Sequence, residues 1–195
     1  MIAWVDTETT GLGPSDSLLE FVCIMTDDHL RIVDSFGPCV IQQDALDKPM
    51  SEWPEIVQEM HAKNGLIRDL QSAENLITLV ELDENCADWL EINYKGEVIP
   101  LAGSTIGFDR AFMKRLLPKT ERFFHYRSID ISSVKELCKR WNKLVYDLRP
   151  TVPDEDKVHR ALPDLHASIQ EAEYYRDKLF QVNLHQVSPF NPEVK

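Results

Sequence analysis

The sequence predicts a single α/β (or α+β) domain, and three observations carry that prediction. Three apolar runs of strand character, joined by short polar links, fill the first 40 residues. From residue 49 onward, stretches with apolar residues at helical spacing alternate with short apolar runs. The length of 195 residues and the 43% apolar content suit one core, and no internal repeat, low-complexity segment or linker divides it. One domain is therefore expected over residues 1–182, followed by a C-terminal tail at 183–195.

Residues 1–6 are the first expected strand, and Thr9-Thr10-Gly11-Leu12-Gly13-Pro14 has the chemistry of a turn. A second strand is expected at 18–26, a turn at Asp27-Asp28 and a third strand at 30–40. Sequential strands with short links suggest an antiparallel meander. The period then changes. Residues 49–61 and 72–92 read as helices, the second through Leu76, Leu79, Val80, Ala87 and Leu90. A short buried strand is expected at 98–103 and a helix at 108–117, stopped before Pro118. Another short strand falls at 126–130. Ser133 and Glu136 have capping-box spacing for a helix running to about Trp141. The two prolines and four acids of 147–157 predict a loop. The last helix is expected at 163–180, with Leu165, Ile169, Ala172 and Leu179 on its core face. Pro163 suits its first turn, where no backbone N–H is needed. Beyond Val182 no amphipathic pattern remains.

Composition narrows the function classes. No run of about 18 apolar residues exists, so no membrane span is expected. The N-terminus lacks a basic segment followed by a long apolar one, so no secretory signal is expected. Cysteines 23, 39, 86 and 138 form no C-x-x-C pair, which argues against a zinc site or a disulfide scaffold and for a reducing cytoplasm. The net charge of −12 argues against a long duplex partner. That charge is unevenly spread. Residues 110–149 hold 11 Lys+Arg and 4 Asp+Glu, a balance of +7, which leaves −19 for the rest. One basic segment in an acidic chain fits a ligand with few phosphates, although acidity alone also serves solubility.

Three separated pieces carry chemistry. In Asp6-Thr7-Glu8, strand geometry puts both carboxylates on one face. Their repulsion is costly unless a cation neutralises it, and a hard ion such as Mg²⁺ or Mn²⁺ fits oxygen ligands best. Asp109 follows Ser104-Thr105-Ile106-Gly107-Phe108 and enters a helix, where an acid is also favoured by the helix dipole. His159-Arg160-Ala161-Leu162-Pro163-Asp164 puts a histidine on a loop and an acid in the next helix's first turn. Each piece alone has an ordinary structural reading. Together, four carboxylates and one imidazole are what two-metal phosphodiester hydrolysis needs, with ions about 4 Å apart. A histidine is suited to taking the proton of the attacking water.

At these positions the chain resembles the DEDDh branch of the ribonuclease-H-like 3′→5′ exonucleases. Asp6-Thr7-Glu8-Thr9-Thr10-Gly11-Leu12 is shared by that whole superfamily, proofreading exonucleases included. Narrower likeness to the oligoribonucleases lies in Met60-His61-Ala62-Lys63-Asn64-Gly65-Leu66, Ser104-Thr105-Ile106-Gly107-Phe108-Asp109-Arg110, Phe124-His125-Tyr126-Arg127-Ser128-Ile129-Asp130, Val134-Lys135-Glu136-Leu137, and His159-Arg160-Ala161-Leu162 with Tyr174-Tyr175-Arg176. The resemblance implies a mixed five-stranded sheet with flanking helices, and hydrolysis of very short RNA, dinucleotides favoured, to nucleoside 5′-monophosphates. It implies Asp6, Glu8, Asp109 and Asp164 as ligands of two Mg²⁺ or Mn²⁺ ions and His159 as general base. It further implies Leu12 as a wedge between the terminal bases, Trp53 and His61 beside the substrate, and a homodimer in which Tyr126 comes from the neighbouring subunit. Arg127, Ser132, Ser133 and Thr105 would cap the 5′ phosphate. Such a cap recognises a terminal phosphate by charge-assisted bonds, and apolar faces hold splayed bases without reading sequence.

The chain departs from that pattern in having Ser104 for Asn, Phe108 for Gln, Thr9 for Met and Pro163 for an acid. Two other readings stay open. One is a DEDDh exonuclease for DNA or longer RNA, with the basic segment as a strand track. The other is a non-catalytic interaction module, against which the presence of all four carboxylates and the histidine counts.

Overall fold

A computed structural model describes residues 1–42, 48–72, 74–151 and 158–180. Its strands are β1 (Ile2–Thr9), β2 (Leu18–Thr26), β3 (Ile32–Ile41), β4 (Leu76–Ile77), β5 (Ile99–Gly103) and β6 (Phe124–Asp130). Its helices are α1 (Glu55–Lys63), α2 (Leu66–Gln71), α3 (Leu79–Tyr94), α4 (Gly107–Leu116), α5 (Pro118–Glu121), α6 (Ile131–Trp141), α7 (Lys143–Asp147) and α8 (Ala161–Leu179). The strands form one mixed sheet in the order β4-β3-β2-β1-β5-β6. β1, β2 and β3 pair antiparallel, whereas β5 joins β1, β6 joins β5 and β4 joins β3 in parallel.

Strand alternation divides the core between the two faces of the sheet. Ala3 and Val5 of β1, with Phe21, Cys23 and Met25 of β2, pack against Leu82, Cys86 and Leu90 of α3 and Phe112 and Met113 of α4. Trp4, Val22 and Ile24 pack against Leu165, Ile169 and Tyr175 of α8 on the other face. β2 is buried along its whole length for this reason. The even-numbered residues of β1 thus face α8, and Asp6 and Glu8 continue that row to the strand's end.

The α/β fold read from the sequence is the one observed, with differences in detail. The sheet has six strands rather than five. The additional strand, Leu76–Ile77, lies where residues 72–92 predict continuous helix. Thr78 explains the break. Its hydroxyl accepts the Glu81 N–H at 3.2 Å and its own N–H donates to the Glu81 carboxylate at 3.0 Å, so the helix starts at Leu79. The preceding residues pair with the edge of β3. Likewise Asp130, not Ser133, caps α6: its carboxylate accepts the Ser132 N–H at 3.0 Å and the Ser133 hydroxyl at 2.8 Å. The short helices α2, α5 and α7 have too few turns to print a period. The four cysteines are free. Among the described residues no helix is long and apolar enough to cross a membrane. The expected tail at 183–195 and most of the loop at 147–157 lie outside the described residues.

Candidate active site

Three elements meet at the C-terminal end of β1. β1 itself supplies Asp6 and Glu8. The β5–α4 connection leads to Asp109 in the first turn of α4, where the Thr7 hydroxyl donates to Asp109 Oδ1 at 2.7 Å. The start of α8 supplies Asp164 in its first turn, with His159 just before it. His159 has φ 49°, in the left-handed region. Its carbonyl accepts the Asn64 side-chain amide, while Asn64 Oδ1 accepts the Leu66 N–H at 2.9 Å. The α1–α2 corner therefore holds the histidine loop in an uncommon conformation.

Burial is the first cause that shifts Asp6, Glu8 and Asp109. Burial, then Asp109, Glu8, Asp164 and Glu20 in turn, hold the Asp6 carboxyl well above the ordinary carboxylate range. Burial, then Asp164 and Glu20, push Glu8 up to about 9, with Arg160 pulling the other way. Burial lifts Asp109 to about 7 against the pull of the Thr7 hydroxyl. Among the described residues no Lys or Arg forms an ion pair with Asp6, Glu8 or Asp109. The nearest partner of Glu8 is His61 at 4.0 Å, whose buried ring is pushed toward the neutral form. Clustered, hard oxygen donors whose charges oppose each other fit a divalent cation. Among the described residues no three such side chains close into a ready cage. Mg²⁺ is generally held by one or two carboxylates with water and substrate phosphate, so an open arrangement suits it.

Asp6, His159 and Asp164 line a cleft of about 640 Å³, together with Ser104, Lys135 and Glu171. The structure sorts the expected substrate residues into three groups. Leu12 and Tyr126 project outward, at 83% and 74% exposure. The loop beneath Leu12 is held by Asp16, which accepts from Gly13 N–H at 2.7 Å and pairs with Lys48 at 3.0 Å; a Cβ on Gly11 would sit 2.5 Å from that carboxylate. Arg127 is exposed and lies over the Tyr126 ring at 5.2 Å. Trp53 and His61 are instead interior. Trp53 packs with Leu19, Leu66 and Leu70 and donates to the Lys48 carbonyl at 3.1 Å. His61 donates to the Thr9 carbonyl at 3.2 Å, behind Glu8. Thr105, Ser132 and Ser133 come together, but around Asp130. The Asp130 carboxylate accepts both serine hydroxyls and the Thr105 N–H, and the Thr105 hydroxyl donates to Ser132. Of the departures, Phe108 stacks on Phe112 at 5.0 Å as core packing, while Ser104 and Pro163 line the cleft.

Sequence reasoning missed Glu20. It lies opposite Glu8 in the β1–β2 register and is 1% exposed. Arg160 donates from Nε to both its oxygens at 3.1 Å and from Nη1 to Asp69 at 2.9 Å, and the Ala161 N–H donates to it at 2.9 Å. Glu20 thereby ties β2 to the start of α8, between His159 and Asp164. The signal was Arg160 beside His159; β2, buried on both faces, offered none.

A family model described as an exonuclease, of the RNase T type, matches residues 3–172. The oligoribonuclease of Mycobacterium avium (strain 104) is 37% identical over 181 residues, covering 92% of this chain and 81% of its own length. That of Mycobacterium leprae (strain TN) is 38% identical over 181 residues with the same coverage. Among solved structures, the moderately thermophilic exonuclease I of Methylocaldum szegediense superposes with a TM-score of 0.66 at 19% identity, covering 92% of this chain and 41% of that one. The zinc-bound E. coli exonuclease I–single-stranded DNA complex gives 0.64 at 12% identity, covering 92% and 41%. The chain spans about two-fifths of those longer proteins, and at such identities the likeness shows the fold alone. With the exonuclease model spanning most of its length and oligoribonucleases matching 92% of it, this chain belongs to the oligoribonuclease branch of the DEDDh 3′→5′ exonucleases.

Proposed function

We propose that this protein trims very short RNA from the 3′ end, dinucleotides favoured, releasing nucleoside 5′-monophosphates with the help of two divalent cations. The observation that carries this is the group of buried acids Asp6, Glu8 and Asp109, none with a Lys or Arg ion pair among the described residues, with Asp6 sharing one cleft with His159 and Asp164. The preference for short RNA is supported by the oligoribonuclease relatives.

Asp6, Glu8, Asp109 and Asp164 are the residues that would hold Mg²⁺ or Mn²⁺. Bound there, the cations supply charge neutralisation of the phosphate and activation of water. Thr7 orients Asp109, and His61 packs behind Glu8. His159 accepts the proton of the attacking water, its backbone held by Asn64. Arg160 and Glu20 fix the short stretch between His159 and Asp164, so base and ligand move as one unit. Leu12, on its braced loop, wedges between the terminal bases, and Tyr126 with Arg127 offers a flat, cationic face to a base. Trp53 and His61 act from behind the site rather than on substrate.

The Tyr126 face serves the neighbouring subunit of a homodimer. Exposure of Tyr126, of Leu137 and Trp141 on α6, of Leu144 on α7 and of Leu148 just after it supports an apolar contact with a second copy. Unfolding Asp6→Ala and Tyr126→Ala proteins together and refolding them should restore about a quarter of wild-type activity, since half the dimers are mixed and each carries one complete site. Zero rescue means that the tyrosine acts in its own subunit.

Hydrolysis of 5′-labelled RNA from two to ten nucleotides, beside DNA of the same lengths, tests the function. The highest kcat/KM is expected on the RNA dinucleotide. An optimum on longer strands or on DNA moves the chain to the general exonucleases.

A further inference from the structure

We propose that Asn64 is a positioning residue for the general base: from the α1–α2 corner it fixes the His159 turn, and hence the place of the imidazole, and it acts on the reaction through that histidine alone. The proposal rests on the exonuclease reading above and adds to it the part of the fold that aims the base.

His159 needs an outside hold. It stands at φ 49°, just before the N-cap residue Arg160 of α8, and a residue with a Cβ rarely adopts that conformation. Left to itself the residue relaxes toward the β or right-handed region, which turns its Cβ and swings the imidazole. The carbonyl is the handle on that torsion. Asn64 donates its side-chain amide to the His159 carbonyl across 95 residues of sequence, so tertiary structure rather than the loop itself fixes the turn.

The anchor itself is stiff. Asn64 closes α1, where its N–H donates to the Met60 carbonyl at 3.0 Å, and Gly65 at φ 84° turns the chain into α2. Asn64 Oδ1 accepts the Leu66 N–H at 2.9 Å, and Leu66 lies in a buried cluster with Leu19 of β2, Trp53 and Leu70. These partners settle the orientation of the amide, since the reversed one would set donor against donor and acceptor against acceptor. Asn64 Nδ2 also lies 3.5 Å from His61 Nδ1, and His61 Nε2 donates to the Thr9 carbonyl at 3.2 Å. The corner thus refers the histidine turn to β2 and to the end of β1, the strand that carries Asp6 and Glu8.

The next residue is gripped separately. Asp69 of α2 accepts Arg160 Nη1 at 2.9 Å, while Glu20 accepts Arg160 Nε at 3.1 Å and the Ala161 N–H at 2.9 Å. Arg160 and Glu20 therefore fix the start of α8, and with it Asp164, as a block. The freedom that remains is the torsion of His159 itself, and Asn64 removes it. Loss of the Asn64 donor is thus expected to misplace the base and to leave the metal ligands where they are.

The test uses Asn64→Asp, which is isosteric and keeps an oxygen for the Leu66 N–H, but whose ionised carboxylate cannot donate to the His159 carbonyl. On an RNA dinucleotide, kcat is expected to fall about 10–10²-fold, as for a misplaced catalytic group, while KM and the Mn²⁺ concentration for half-maximal activity stay as in wild type. The decisive step repeats the substitution in His159→Ala protein. There it should lower kcat no further, because no imidazole is left to misplace. Asn64→Ala, put through the same cycle, decides the matter if Asn64→Asp misfolds. An unchanged kcat in Asn64→Asp, the same loss with and without the imidazole, or a raised Mn²⁺ requirement overturns the positioning role. Wild type that hydrolyses no oligonucleotide overturns the exonuclease reading and this role with it.

Discussion

Glu8 and Glu20 sit opposite each other on neighbouring strands, both buried, and the fold treats them in opposite ways. Glu20 has a fixed counter-ion in Arg160 and a helix N–H from Ala161. Other buried acids away from the site are treated like Glu20. Asp83 accepts the Lys119 and Thr120 N–H groups at the start of α5, and Asp16 pairs with Lys48. Glu8 has no Lys or Arg partner among the described residues, and its carboxyl is pushed up to about 9. On the proposed function, Asp6, Glu8 and Asp109, which have no Lys or Arg ion pair among the described residues, are reserved for a cation that comes from solution. On that reading, acids with a fixed cation serve architecture and those without one serve chemistry.

The largest effect is expected from removing one of the proposed metal ligands. Asp6→Ala or Asp164→Ala should lower kcat by several orders of magnitude while far-UV circular dichroism stays native. Wild-type-like turnover in either would break the contrast. His159→Ala comes next, with a loss of about 10²–10⁴-fold, the usual contribution of a general base. Retained binding of a dinucleotide would separate that loss from misfolding.

A paired acid should behave in the reverse way. Glu20→Ala leaves Arg160 without its main partner, and breaking a buried pair costs about 3–5 kcal/mol. Denaturant unfolding should therefore show a large loss of stability. Glu8→Gln should instead leave metal-free stability equal or higher at pH 8, since it removes a carboxyl that burial keeps from ionising. Equal destabilisation by both changes would mean that the distinction is not energetic.

Much of this arrangement was legible in the sequence because it rides on period. Asp6 and Glu8 share a face by the two-residue repeat of a strand, and Asp109 and Asp164 fall in first turns marked by the start of helical spacing. The meander and the last helix were readable for the same reason. Glu20 was not, since a strand buried on both faces has no alternation to set a buried acid apart. Its partner Arg160 lies 140 residues away in sequence. The ring of hydroxyls around Asp130 was equally hidden, because a hydroxyl's choice between phosphate and a neighbouring carboxylate depends on three-dimensional geometry. The burial of Trp53 and His61 was not legible either, because residue type does not state which side of α1 and its entry turn faces inward.

The most direct test of the reserved-cation account is thermal unfolding in EDTA and in Mn²⁺ or Mg²⁺, from pH 6 to pH 8. Glu8 and Asp109 keep protons in the folded chain that the unfolded chain releases, as their carboxyls are raised to about 9 and about 7. Without metal, stability should therefore fall as pH rises from the ordinary carboxylate range toward those values. Added cation should raise Tm, and by more at pH 8 than at pH 6, since binding displaces the same protons. Asp6→Ala should lose most of that gain, and Glu20→Gln should keep it. A wild-type Tm indifferent to the cation, or an equal gain in Asp6→Ala, would contradict the account.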